Sequence, residues 1–210
     1  MMQAVSLGQV KEQSYTMKES LRALKTNIQF CGDDVQTILI TSSIPNEGKS
    51  TVTMDLGRSL TESGKRVLLI DTDMRKSVLI GRLRAKNMNG GEIHGLSHLL
   101  SGQKKLEEVL YTTSIPKLFM VFAGPSVPNP TEILDKKYFG ELLEFARKHF
   151  DYVLLDCAPL GGGHRRGGDR EALRRRGHRH RAGDGQRPDD RKREEAARDV
   201  RCEDIGRGAQ

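Results

Sequence analysis

The segment Ser43-Ile44-Pro45-Asn46-Glu47-Gly48-Lys49-Ser50 constrains the fold of this chain more than any other feature. It follows residues 36–41 (QTILIT), a short apolar run of the kind that forms a strand buried on both faces. It leads into residues 49–62, which have helical character, and Gly64 then sits where a helix C-terminal cap glycine belongs. A strand, a tight turn and a helix in that order bring the backbone N–H groups of the turn together at the helix N-terminus, where the dipole favours an anion. The spacing is that of G-x-x-x-x-G-K-S/T, with Ser43 in place of the first glycine. In such a loop Gly48 lets the backbone approach phosphate closely, Lys49 reaches the β- and γ-phosphates, and the Ser50 hydroxyl ligates Mg²⁺. Asn46, Glu47 and Thr51 complete the predicted nucleotide contacts. An isolated GKS is often a chance match; the buried strand before it and the helix after it favour a nucleotide.

The remaining pattern supplies the architecture around that loop. In residues 14–30, Met17, Leu21, Leu24 and Ile28 recur at helical spacing, and Cys31-Gly32-Asp33-Asp34 ends the run. Residues 66–70, 117–122 and 152–155 read as further buried strands, with a helix over 138–149 before the last. Strands alternating with helices predict an α/β fold: a parallel sheet flanked by helices, joined by right-handed crossovers. Residues 85–95 (AKNMNGGEIHG) are polar and Gly-rich, which predicts a mobile surface loop.

Three carboxylates end apolar runs. Asp71 and Asp73 follow VLLI, and Asp156 follows YVLL. Acidic groups at the carboxyl ends of parallel strands face the crevice where open α/β sheets bind ligands. The bland alternative is a solvated turn, which Asp often serves. Beside a phosphate loop, however, the three together make a candidate Mg²⁺ and proton-acceptor cluster: Ser50, Asp71 and Asp156 for the metal, and Lys49, Asp71 and Asp73 for catalysis.

The strings TSSIPNEGKST, VLLIDTDMRKS, GLSHLLSG, GPSVPNPTEIL and FDYVLLDCAP occur in an order that resembles the bacterial tyrosine kinases of capsule and exopolysaccharide synthesis. The resemblance covers residues 14–159 and implies a P-loop NTPase-type kinase domain using ATP and Mg²⁺. By similarity, Asp71 and Asp73 contribute metal binding and activation of a tyrosine hydroxyl, and Asp156 holds Mg²⁺ through water. The resemblance also implies autophosphorylation, protein tyrosine substrates and a separate transmembrane activator that recruits the kinase to the cytoplasmic face of the inner membrane. Relatives of that fold include partition-type ATPase switches, whose loops carry an extra lysine near their start. Ser42-Ser43-Ile44-Pro45 has none, which favours the kinase branch. Glu19, Arg22 and Lys25 resemble the family's oligomerisation motif of Glu, Arg and Arg, which implies a homo-oligomer contact; the alternative is a solvated charged face. Cys157-Ala158 stands where the family usually has Thr-Pro, and no tyrosine follows Tyr152, so the family's terminal tyrosine cluster is missing.

Composition divides the chain as 1–35, an N-terminal helical segment; 36–159, the kinase domain; and 160–210, a basic tail. Of the net charge of +7, the tail carries +5, from 15 basic against 10 acidic residues. The excess therefore lies outside the domain, and it argues little for nucleic acid as a partner. Cys31, Cys157 and Cys202 show neither paired nor metal-ligand spacing, which suits a reduced cytosol. Neither a signal sequence nor an apolar run long enough to span a membrane is present.

The tail contains no aromatic residue and almost no large aliphatic ones, so as written it predicts disorder. We read it as out of frame from about Leu160. With a one-base shift and free choice of wobble bases, Gly161 through Arg181 accommodates GAVIDAAVIAKRCDGAVIVIA. That string, like KKQLETSGVKILGVVL from residue 194 onward, resembles what the family carries there. The consequence would be loss of C-terminal strands from the sheet, with a poorly folding, inactive product as one outcome. The alternative is a genuine basic tail for acidic lipid or polymer.

Overall fold

A computed structural model describes residues 3–8, 10, 12–32, 34–134 and 137–159. The tail from residue 160, with the frame and disorder expectations that fall on it, lies outside the described residues. Seven strands form one sheet: β1 (Gln3–Leu7), β2 (Thr37–Ile40), β3 (Val67–Asp71), β4 (Ala85–Asn87), β5 (Tyr111–Thr113), β6 (Leu118–Val121) and β7 (Tyr152–Asp156). The helices are α1 (Tyr15–Phe30), α2 (Lys49–Glu62), α3 (Leu79–Leu83), α4 (Leu96–Leu100), α5 (Leu106–Val109), α6 (Pro130–Leu134) and α7 (Lys137–His149).

The spatial order is β2-β7-β3-β6-β5-β1-β4. The first four strands pair in parallel, as the alternation of strands and helices predicts. Beyond β6 the sheet is mixed: β5 runs antiparallel to β6, β1 parallel to β5, and β4 antiparallel to β1. Strands β1, β4 and β5 are not evident in the sequence pattern. Residues 85–95 are therefore not wholly loop, because their first three residues form β4 and are held by the ladder to β1.

The period-2 pleat splits the apolar strands between two cores. On one face, Val67 and Leu69 of β3, Leu154 of β7 and Ile38 of β2 pack with Leu21, Leu24 and Ile28 of α1 and Met54, Leu56 and Leu60 of α2. On the other, Leu68, Ile70, Val153 and Leu155 pack with Leu142, Leu143 and Ala146 of α7 and with α4. In α1, the Ser14 hydroxyl caps the helix by accepting from the Met17 amide at 3.2 Å. Gly57 lets α2 lie close on the sheet, since a Cβ there would stand 3.3 Å from Leu118 Cδ1 and 3.5 Å from Leu154 Cδ1. Among the described residues, no helix is long and apolar enough to cross a membrane.

Candidate nucleotide-binding site

The site forms where β2, β3 and β7 end. Parallel pairing sets Asp71 directly opposite Asp156, so two carboxylates share one edge of the sheet, and both are 1% exposed. The loop from β2 to α2 turns on two left-handed residues, Asn46 (φ 68°) and Gly48 (φ 97°). At Gly48 only glycine takes this conformation without strain. Because Gly48 is also the N-cap of α2, no side chain closes the helix's first turn, which leaves that end fit for an anionic ligand. The Glu47 carboxylate has a role that the sequence pattern did not reveal. It accepts hydrogen bonds from the Ser43 amide (3.1 Å) and the Ile44 amide (3.2 Å), bracing the loop from within.

Lys49 is 8% exposed and faces the sheet, its Nζ 2.5 Å from Asp156 Oδ1 and 3.3 Å from Ser50 Oγ. Thr53 Oγ1 stands 3.5 Å from the same carboxylate oxygen. Burial pushes the Asp156 carboxyl above the ordinary range, opposed by the Lys49 ammonium and by the Ser50 hydroxyl. Asp71 is also raised, to about 7; burial is the main cause, a hydrogen bond from Ser77 opposes it, and the neighbouring Asp156 adds to it. Ser77 Oγ donates to Asp71 Oδ2 at 2.5 Å, and the Asp73 amide donates to Asp71 Oδ1 at 3.1 Å. The Asp73 carboxylate is half-buried and accepts from the Lys76 amide at 3.2 Å. On the side of α2 away from the sheet, Thr51 Oγ1 accepts from Arg82 Nη1 at 3.0 Å.

The structure therefore brings together Lys49, Ser50, Asp71 and Asp156, with Asp73 two residues beyond Asp71. It does not build a ready-made carboxylate cage: among the described residues, no group of three or more His, Cys, Asp or Glu side chains converges as a metal site. That is compatible with Mg²⁺, which is typically held by one or two carboxylates plus substrate phosphates and keeps several waters. The adjacent Ser50 hydroxyl and Asp156 and Asp71 carboxylates are hard oxygen donors of the right kind.

The N-terminal motif divides differently from its sequence pattern. Glu19 and Arg22 form an exposed ion pair on α1, 2.6 Å apart. Lys25 does not join them; its ammonium donates to Ser59 O (3.3 Å) and Ser63 Oγ (3.0 Å), fastening α1 to the end of α2. The reason is helical geometry: at about 100° per residue, position i+6 lies roughly a third of a turn from i, toward the neighbouring helix.

Comparison with known proteins identifies relatives of this chain. The family described as AAA domain matches residues 35–163. The tyrosine-protein kinase CpsD of Streptococcus pneumoniae is 42% identical over 144 residues, covering 69% of this chain and 62% of that protein. CpsD of Streptococcus agalactiae is 39% identical over 149 residues, covering 71% of this chain and 63% of that protein. The chain thus spans under two thirds of the length of these curated relatives. Among solved structures, the BceF tyrosine kinase domain superposes with a TM-score of 0.60 at 39% identity, covering 69% of this chain and 57% of that one. The chain belongs to the AAA domain family, with bacterial tyrosine-protein kinases as its homologues.

Proposed function

We propose that this chain is the ATP- and Mg²⁺-dependent catalytic domain of an autophosphorylating protein-tyrosine kinase that serves capsule or exopolysaccharide biosynthesis. The observation that carries the reading is the buried Lys49–Asp156 pair at the start of α2, beside Asp71, in a chain whose relatives are named tyrosine-protein kinases. Lys49 and the amides around Gly48 hold the phosphates. Ser50, Asp71 and Asp156 hold the metal, which when bound neutralises charge on the transferring group. Asp73, less buried than Asp71, orients the incoming tyrosine hydroxyl together with Asp71. Phosphoryl transfer needs chiefly positioning and charge neutralisation, and these groups supply both.

The same reading includes a transmembrane activator at the cytoplasmic membrane face, protein tyrosine substrates, and a homo-oligomer contact through Glu19 and Arg22. It takes residues 160–210 as out of frame, which independent sequencing across codon 160 tests; an uninterrupted frame would refute that part. The kinase reading is tested by blotting for phosphotyrosine with the frame-restored protein and its activator, against Lys49→Met. Phosphotyrosine in the first and none in the second is the expected result. Normal ATP binding without phosphotyrosine would eliminate a kinase.

A further inference from the structure

Two cations flank the start of α2, and only one of them belongs to the phosphate-loop pattern. With Gly48 as N-cap, Lys49 and Thr51 occupy the first and third helical positions, so their side chains leave the axis about 200° apart. Lys49 accordingly faces the sheet and Asp156, while Thr51 faces the opposite side, where it meets Arg82 at 3.0 Å. Arg82 is exposed, and α3 fixes its position: Leu79 and Leu83 on either side of it are 1% and 5% exposed, anchored in the core beneath α2. Ser77, bonded to Asp71, ties the segment leading into α3 to the same end of the sheet. Among the described residues, Arg82 has no carboxylate partner; the Thr51 contact uses one of its five N–H donors, and the others remain available to an anion.

We infer that Arg82 is a second phosphate-binding cation, gripping the end of the nucleotide's phosphate chain nearest the nucleoside while Lys49 serves the far end. The inference rests on the nucleotide reading above. It follows from placement: an anion at the N-terminus of α2 lies between a buried ammonium on the sheet side and a guanidinium with spare donors on the other. A guanidinium suits this role because its planar fork matches phosphate oxygens, which the point charge of lysine does not.

The test is isothermal titration of the full 210-residue chain with MgATP and with MgADP, using native protein, Arg82→Ala, Arg82→Lys and Lys49→Met. Melting of each without nucleotide controls for folding. Removing one charge-assisted phosphate contact at an exposed position is expected to weaken binding about tenfold. Because the near end of the chain is common to both ligands, Arg82→Ala should weaken ATP and ADP alike, with Arg82→Lys recovering part of the loss and melting unchanged. Equal affinity of Arg82→Ala and native protein overturns the inference, as does a loss confined to ATP; in both cases a loss in Lys49→Met leaves the nucleotide reading standing. Binding of neither nucleotide by the native chain overturns both.

Discussion

The two halves of the sheet differ in strand pairing, in burial and in what they carry. The half built from β2, β7, β3 and β6 is wholly parallel, and every residue of β3 is buried. The candidate site residues Lys49, Ser50, Asp71 and Asp156 lie at its carboxyl ends. The half built from β5, β1 and β4 is mixed, and its strands of three to five residues contribute only Val5 and Tyr111 as buried residues. A parallel half needs helices on both faces, and those crossovers are what deliver a helix N-terminus to the sheet's edge. The mixed half extends the sheet without that device, and among the described residues it holds none of the candidate site residues. If this contrast is energetic as well as geometric, truncation should cost most in the parallel half. Leu69→Ala at the centre of β3, fully buried, should destabilise the chain by about 3–5 kcal/mol in urea unfolding.

The parallel half also contains its own opposing term. Asp71 takes a proton more readily folded, near pH 7, than unfolded, near pH 4. Between those values the folded state holds the extra proton, so stability falls as pH rises from about 4 to about 7, and the full penalty persists above that. Asp71→Asn removes the penalty. It should stabilise the protein by on the order of 2–4 kcal/mol at pH 8 and by little at pH 4, while impairing phosphoryl transfer. Melting curves at the two pH values check the sign; equal gain at both would show that burial of this carboxyl is not what costs stability. In the mixed half, Val5→Ala should cost about 2 kcal/mol, because the side chain is buried but small. A cost matching that of Leu69 would erase the distinction between the halves.

That distinction is also what made one half legible and the other not. Strands buried on both faces read as continuous apolar runs, so TILI, VLLID and YVLLD stand out, and the carboxylates ending two of them point to the site. QAVSL, AKN and YTT have no such signal, because their pairing is decided by distant residues: Gln3 opposite Tyr111, and Val5 opposite both Asn87 and Thr113. Within the site, Lys49 and Ser50 are legible because a fixed local spacing places them, and Asp71 and Asp156 because each ends an apolar strand. The bracing of the loop by Glu47 lies inside the motif but depends on the left-handed turn at Asn46, which spacing does not specify. The Ser77 bond to Asp71 and the Arg82 bond to Thr51 were illegible because they depend on how the chain after β3 returns toward α2.

The smallest effects separate two residues that one sequence motif joins. Lys25 fastens α1 across to α2 through two hydrogen bonds, whereas Arg22 meets only Glu19 on its own exposed helix face. Losing the first removes a tertiary contact, so Lys25→Ala should cost about 1 kcal/mol of chain stability at low concentration. Losing the second removes an exposed i,i+3 pair, and Arg22→Ala should cost less than about 0.5 kcal/mol. Association should reverse that ranking, because an Arg22 side chain left 70% exposed is free to meet another copy and the Lys25 ammonium is already engaged. Sedimentation of both variants at matched concentrations reads the reversal. If Lys25→Ala lowers association as much as Arg22→Ala does, the two residues act as one surface and the division of the motif is wrong.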